Sequence, residues 1–261
     1  MLFALSPAKT LDYERPLPRG VRQRATEPLF VPRAAELIGQ LARLSPPEVA
    51  QLMDLSDELA HLNVGRYAAW TPAHDATNSR PAVMAFNGDV YDGLDARNLS
   101  GADLTWAQSH LVILSGLYGA LRPMDWLQPY RLEMGTRLAN ARGKDLYAYW
   151  GDTVAEYLNQ RMADERQPVL VNLASQEYFK VADRPALKAR VVECVFEDWK
   201  AGQYKIISFF AKRARGAMAR WAIQHRVRSV KALEGFDADG YAFDAATSSA
   251  DRLVFRRKQA D

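Results

Sequence analysis

Four stretches of this chain place a small hydroxyl side chain where an apolar run gives way to a loop or helix. Ser6 follows Leu2-Phe3-Ala4-Leu5 and opens Ser6-Pro7-Ala8-Lys9-Thr10. Ser115 closes the run that starts at Leu111 and opens Ser115-Gly116-Leu117-Tyr118-Gly119. Ser175 follows Val169-Leu170-Val171-Asn172-Leu173, with Glu177 and Tyr178 just beyond it. Ser208 sits near the end of the apolar stretch that begins at Tyr204. In open α/β sheets the carboxyl ends of strands line the ligand crevice. If these ends meet, Ser6, Lys9, Ser115, Tyr118, Ser175, Glu177, Tyr178 and Ser208 share one pocket. Hydroxyls and glycine-derived N–H groups suit a phosphate or another oxyanion. Lys9 would then be a phosphate ligand or, if desolvated, a Schiff-base amine. Glu177 would be a general acid or base, and Tyr118 and Tyr178 would stack a base. The opposing reading is that strand ends carry Ser, Gly and Asn because turns do.

A second feature is electrostatic. Between Trp199 and Leu233 stand nine Lys or Arg residues and no Asp or Glu, although the whole chain is nearly balanced at 34 basic and 31 acidic residues. A one-signed stripe of this kind is the electrostatic footprint of nucleic-acid binding. From Phe210 to Arg228 the spacing predicts an amphipathic helix, with Phe210, Ala214, Ala217, Met218 and Trp221 on its apolar face. Lys212, Arg215 and Arg226 fall on one opposite flank, and Arg213 and Arg220 on the other. Gly216 between them would leave a bare backbone strip shaped for phosphates. The alternative is a solvated helix whose acidic partners lie elsewhere in the fold.

Composition narrows the classes. A hydrophobic content of 48% with 10% aromatics is enough for a real core. No apolar run approaches the ~20 residues of a membrane span. The apolar start at Met1 is cut short by Pro7 and Lys9, which predicts a cytoplasmic protein without a signal peptide. The one cysteine, Cys194, excludes an internal disulfide. It alternates with Val192 and Phe196 on one face of a strand, as a buried apolar side chain. The four histidines are scattered, so neither a metal nor a cofactor is expected. Phosphate-loop, dinucleotide-binding and nucleophile-elbow motifs are absent.

The elements that must position these residues alternate. Strands are expected at 2–5, 81–86, 111–114, 169–173, 190–199 and 204–210, with a closing edge hairpin at 241–245 and 253–257. Helices are expected within 28–44, at 46–53, 57–70, 100–110 and 146–163, and in the basic stretch. The sum is one α/β domain, 1–261, with a mixed sheet flanked by helices.

The segments 6–10, 88–91, 115–123, 130–135 and 172–178 together closely resemble the bacterial YaaA family of peroxide-stress proteins. So do Ile207-Ser208-Phe209, Ala211-Lys212, Ala214-Arg215-Gly216 and Gly240-Tyr241. The resemblance implies a cytoplasmic protein of the oxidative-stress response, with an unusual single-domain fold and a positively charged cleft. It also implies DNA binding through a helix-hairpin-helix element, which would fall at 46–60. There the hairpin carries Asp54 and Ser56 where such elements usually have Gly, and Asp57 and Glu58 would repel a phosphate. A plain helical hairpin fits those residues equally.

The leading expectation is therefore a monomeric DNA-binding protein without sequence specificity that protects or helps repair DNA and limits peroxide or iron damage. Lys205, Lys212, Arg213, Arg215 and Arg220 would contact phosphates, with Lys9, Arg122 and Arg131 lining the adjoining cleft. The competing expectation is an enzyme acting on a base or nucleotide through Lys9 and Glu177, or a binder of a small phosphorylated ligand.

Overall fold

Leu2-Phe3-Ala4-Leu5 is apolar on both sides of the chain, which requires cover on both faces of a sheet. In the computed structural model, which describes residues 1–258, it forms β1 (Leu2–Leu5), and all four residues are buried. After β2 (Thr10–Leu11) come α1 (Val31–Leu41), α2 (Pro46–Met53) and α3 (Asp57–Ala69). The short strands β3 (Arg80–Pro81) and β4 (Phe86–Asn87) bracket the helical turn α4 (Ala82–Ala85). Helices α5 (Asp89–Leu94) and α6 (Gly101–His110) precede β5 (Leu111–Ser115), β6 (Gly119–Leu121) and β7 (Trp126–Leu127). Helices α7 (Leu146–Trp150) and α8 (Thr153–Arg161) lead to β8 (Val169–Leu173), α9 (Gln176–Phe179) and β9 (Arg190–Lys200). The chain closes through β10 (Gln203–Lys205), α10 (Ser208–Gln224), α11 (Val230–Leu233), β11 (Ala242–Phe243) and β12 (Arg252–Arg257).

The main sheet runs β11-β12-β9-β8-β1-β5-β6, with β10 on β9. From β12 to β5 every pairing is parallel, so the strands present their carboxyl ends to one edge. The hairpin partners β6, β10 and β11 are antiparallel. This is the mixed α/β sheet that the apolar runs predict. No helix among the described residues is long and apolar enough to cross a membrane.

Two helices set the tightest contact. A Cβ on Gly216 of α10 would overlap the Val90 carbonyl oxygen of α5, and a Cβ on Gly93 of α5 would overlap the Arg213 carbonyl oxygen. The backbones therefore touch where they cross, as small residues permit. Gly216 thus faces a neighbouring helix and not a phosphate.

Other expectations shift. The segment 81–86 is a helical turn between two short strands. An apolar run that short does not distinguish strand from helix, and Ala82 and Ala85 are small enough to pack a turn at full burial. The strand expected to reach Phe210 stops at Lys205, and Ser208 is the first residue of α10. The expected helix at 146–163 is broken at Gly151, where φ is +52°. The closing hairpin forms, but β12 is an inner strand, because it also pairs with β9.

Gly216→Ala should lower stability by roughly 3 kcal/mol, the upper range of core overpacking, because a carbonyl cannot move aside as a flexible side chain does. Gly65, in α3, has nothing within 4 Å of an added Cβ. Gly65→Ala should instead gain up to about 1 kcal/mol. Urea unfolding midpoints of the two variants check the opposite signs.

Candidate functional site

The parallel strands β8, β1 and β5 bring three of the four serines to one edge. Ser6 Oγ accepts the Ser175 N–H at 2.9 Å and lies 3.4 Å from Ser175 Oγ. Ser175 caps α9 by accepting the Tyr178 N–H at 3.5 Å. Ser115 Oγ accepts the Tyr118 N–H at 3.0 Å and lies 2.7 Å from the Tyr130 hydroxyl. The Tyr91 hydroxyl donates to the Ser6 carbonyl at 3.1 Å. Each hydroxyl therefore has a turn or cap to hold, as strand ends commonly require. Beneath them lie Tyr91, Tyr130 and Tyr178, whose phenols burial raises well above their ordinary range. They remain neutral donors at any physiological pH.

Charge lies above this layer. Lys9 Nζ stands 2.7 Å from Glu133 Oε2, and the lysine side chain is 62% exposed. The other oxygen of Glu133 lies 3.2 Å from Arg131 Nη2. Glu133 thus bridges two cations and holds Lys9 at the mouth of the cluster. Lys9 is thus an exposed, ion-paired amine and not a desolvated one. Glu177 Oε1 accepts the Gly135 N–H at 2.9 Å, which ties the first turn of α9 to the 130–135 segment. Lys9, Arg131, Glu133 and Glu177 can therefore neutralise and orient an anionic or polar ligand. Tyr91 was not among the expected site residues, whereas Arg131 and Glu133 stand two residues apart in sequence and do form an ion pair.

Tyr118 meets the cluster through its N–H and ring only, and Arg122 turns to other partners. Tyr118 is fully buried, and its hydroxyl accepts from Trp70 Nε1 at 2.9 Å and meets His74 Nε2 at 3.0 Å. It offers no ring face to a base. Arg122 lies back along the sheet, because Leu121 pairs with Ile113. It is held by Asp125 at 2.9 Å and by the Glu27 carbonyl at 3.2 Å.

Along α10 and just past its end the missing acids come from other elements. Arg213 pairs with Asp239 at 3.2 Å, Arg220 with Asp95 at 3.2 Å and Arg226 with Asp103 at 2.7 Å. Arg220 also donates to the Leu94 and Asp95 carbonyls at the end of α5. Arg215 is largely buried; burial draws its guanidinium below the ordinary range, and Glu193 opposes that pull. Exposed Lys212 and half-buried Lys205 make no ion pair among the described residues. They flank the start of α10, where no side chain caps the helix and no acid sits in the first turn. A helix end of this kind leaves N–H groups and a positive dipole pole for an anion.

Cys194 is buried, and burial pushes its thiol up to about 12. Among the described residues no three His, Cys, Asp or Glu side chains gather as metal ligands.

Comparison with known proteins agrees over nearly the whole chain. A family model described as "Peroxide stress protein YaaA" matches residues 1–247. A UPF0246 protein of Leptothrix cholodnii is 69% identical over 261 residues, all of both chains. UPF0246 proteins of Paracidovorax citrulli and Bordetella pertussis are 64% and 63% identical over 260 residues, again covering 100% of each chain.

The buried thiol should resist a thiol-reactive probe at pH 8 in the native protein and react fully in urea. Mass spectrometry of the two samples measures this; rapid native labelling would contradict the burial of Cys194.

Proposed function

This chain belongs to the peroxide stress protein YaaA family, and from that premise we propose that it acts in peroxide stress by binding DNA at the start of α10. The observation that carries the proposal is the uncapped first turn of α10, with no acid within it, Lys205 just before it in the chain and Lys212 one turn into the helix. Backbone N–H groups, the dipole and two lysines all suit a phosphate. Such contacts read no base, so binding is without sequence preference. Bound protein would shield DNA from peroxide or hold damaged DNA for repair. The arginines of α10 take a lesser part, since Arg213 and Arg220 already have carboxylate partners.

A second reading is favoured by Lys9, exposed on Glu133 at the strand ends. There a nucleotide would set its phosphate on Lys9, with Glu177 as general acid or base. A nucleoside monophosphate should then raise the melting temperature of the native protein but not of Lys9→Ala, with DNA affinity unchanged. Equal shifts in both proteins would set this reading aside.

DNA binding is tested by fluorescence anisotropy at several salt concentrations. Affinity should fall steeply with salt, because neutralised phosphates release counterions. The Lys205→Ala/Lys212→Ala double variant should weaken binding to all duplex sequences alike. The slope of log affinity against log salt should become shallower by about 0.9 for each phosphate that is no longer neutralised. An unchanged slope would remove these lysines from the interface.

A further inference from the structure

We propose that the groove beside α3 binds a small organic acid, an apolar body with one carboxylate, and that Arg66 holds the carboxylate. The groove is a cavity of about 520 Å³, within the range of small-molecule sites. None of the residues that line it belongs to β10 or α10, so the site is separate from the phosphate contacts proposed above.

The sequence of α3 gives it two faces. Ala60, Asn63 and Tyr67 recur at helical spacing and are buried. Leu62, Gly65, Arg66 and Ala69 recur at the same spacing on the other side, and all four line the groove. Leu62 is 47% exposed, and Leu59, one turn earlier, is 37% exposed. A surface helix ordinarily turns polar residues outward. An apolar strip on that face, with polar residues around it, marks a binding surface. Gly65 keeps the groove open, because nothing lies within 4 Å of a Cβ added there. Tyr13, Trp70 and Pro129 complete the apolar lining.

Most polar groups of the groove already have partners within the fold. Gln128 Oε1 accepts the Thr71 N–H at 3.1 Å, and its Nε2 donates to the Thr71 carbonyl at 2.6 Å. Asn78 Oδ1 accepts the Asp75 N–H at 3.0 Å, and its Nδ2 donates to the Ala73 carbonyl at 2.9 Å. Thr77 Oγ1 donates to Asp75 at 2.6 Å, and the Tyr13 hydroxyl donates to the Leu127 carbonyl. Arg66 differs. It is half-buried, donates to Asn63 Oδ1 at 3.2 Å, and pairs with no carboxylate among the described residues. A guanidinium carries five donors in a planar fork, so most of the fork is left for a ligand. Burial draws this guanidinium below its ordinary range, and the like charge of Arg131 adds to that pull. A bound anion would oppose both.

Charge then selects the ligand. One cation balances one negative charge. A phosphate monoester, nearly doubly charged, would leave net charge against apolar walls, which is costly. A carboxylate matches the guanidinium fork with two parallel hydrogen bonds. An apolar body attached to it covers Leu62, Trp70 and Pro129.

The test is isothermal titration calorimetry with naphthylacetate and its neutral counterpart naphthylacetamide. The native protein is compared with Arg66→Gln, Gly65→Leu and Lys9→Ala, and melting curves check that each variant is folded. The native protein should bind the acid at one site and the amide at least about tenfold more weakly, the scale of a hydrogen bond to a charged group. Arg66→Gln should lower the affinity for the acid to that for the amide and leave the amide unchanged. Gly65→Leu, which places a side chain in the groove, should weaken both. Lys9→Ala should alter neither. No saturable binding by the native protein, or equal affinity for acid and amide, would overturn the inference. Acid binding lost in Lys9→Ala but kept in Gly65→Leu would move the ligand to the strand-end cluster and overturn it too. Sedimentation velocity gives the last arm. A dimer of the native protein that Gly65→Leu disrupts would assign the groove to a second copy of this chain and likewise overturn it.

Discussion

The backbone contact between α5 and α10 is the constraint on which the rest depends. Gly93 and Gly216 let the two helices touch at their carbonyls. With that crossing fixed, α5 can aim the Tyr91 hydroxyl at the Ser6 carbonyl, and so support the end of β1. The same crossing sets Arg220 against the last carbonyls of α5. It also fixes where α10 starts, and with it Ser208, Phe209 and Lys212. The strand-end cluster and the start of α10 are therefore linked through α5. A shift of α10 by the width of a methyl group would move both.

Charge is distributed by the same logic. A run of nine cations without an acid looks one-signed only along the chain. In space, Asp95, Asp103 and Asp239 come in from α5, α6 and the turn before β11 to meet three of the arginines. These pairs are partly exposed, so each contributes modestly to stability. Their larger effect is selective. They quiet the middle and end of α10 and leave the lysines at its start as the open charge.

Much of this was legible in the residues. The doubly apolar runs at Leu2, Leu111 and Val169 give buried parallel strands, because only cover on both faces satisfies them. The Ser45-to-Glu48 spacing gives the start of α2, and Glu48 accepts the Ser45 N–H at 2.7 Å. The gathering of Ser6, Ser115 and Ser175 follows from parallel pairing alone. What could not be read were the features that depend on long-range partners. Nothing near Arg220 in sequence reveals Asp95, and nothing near Lys9 reveals Glu133. Gly216 reads as an open strip until Val90 is known to lie against it. Tyr118 reads as a stacking ring until Trp70 and His74 enclose it. Periodicity reports which face is apolar, but not which neighbour will cover a polar one.

The burial of Cys194 has a counterpart in the rest of the sulfur. Of the seven methionines, Met1, Met84, Met124, Met134, Met162 and Met218 are buried, and Met53 is partly covered. Thioethers and thiols are the side chains that peroxide attacks most readily, and attack needs access. A protein whose sulfur is this well shielded keeps its core chemically intact while the oxidant is present. Its working life would then be set by how often the fold opens, and not by how much peroxide surrounds it.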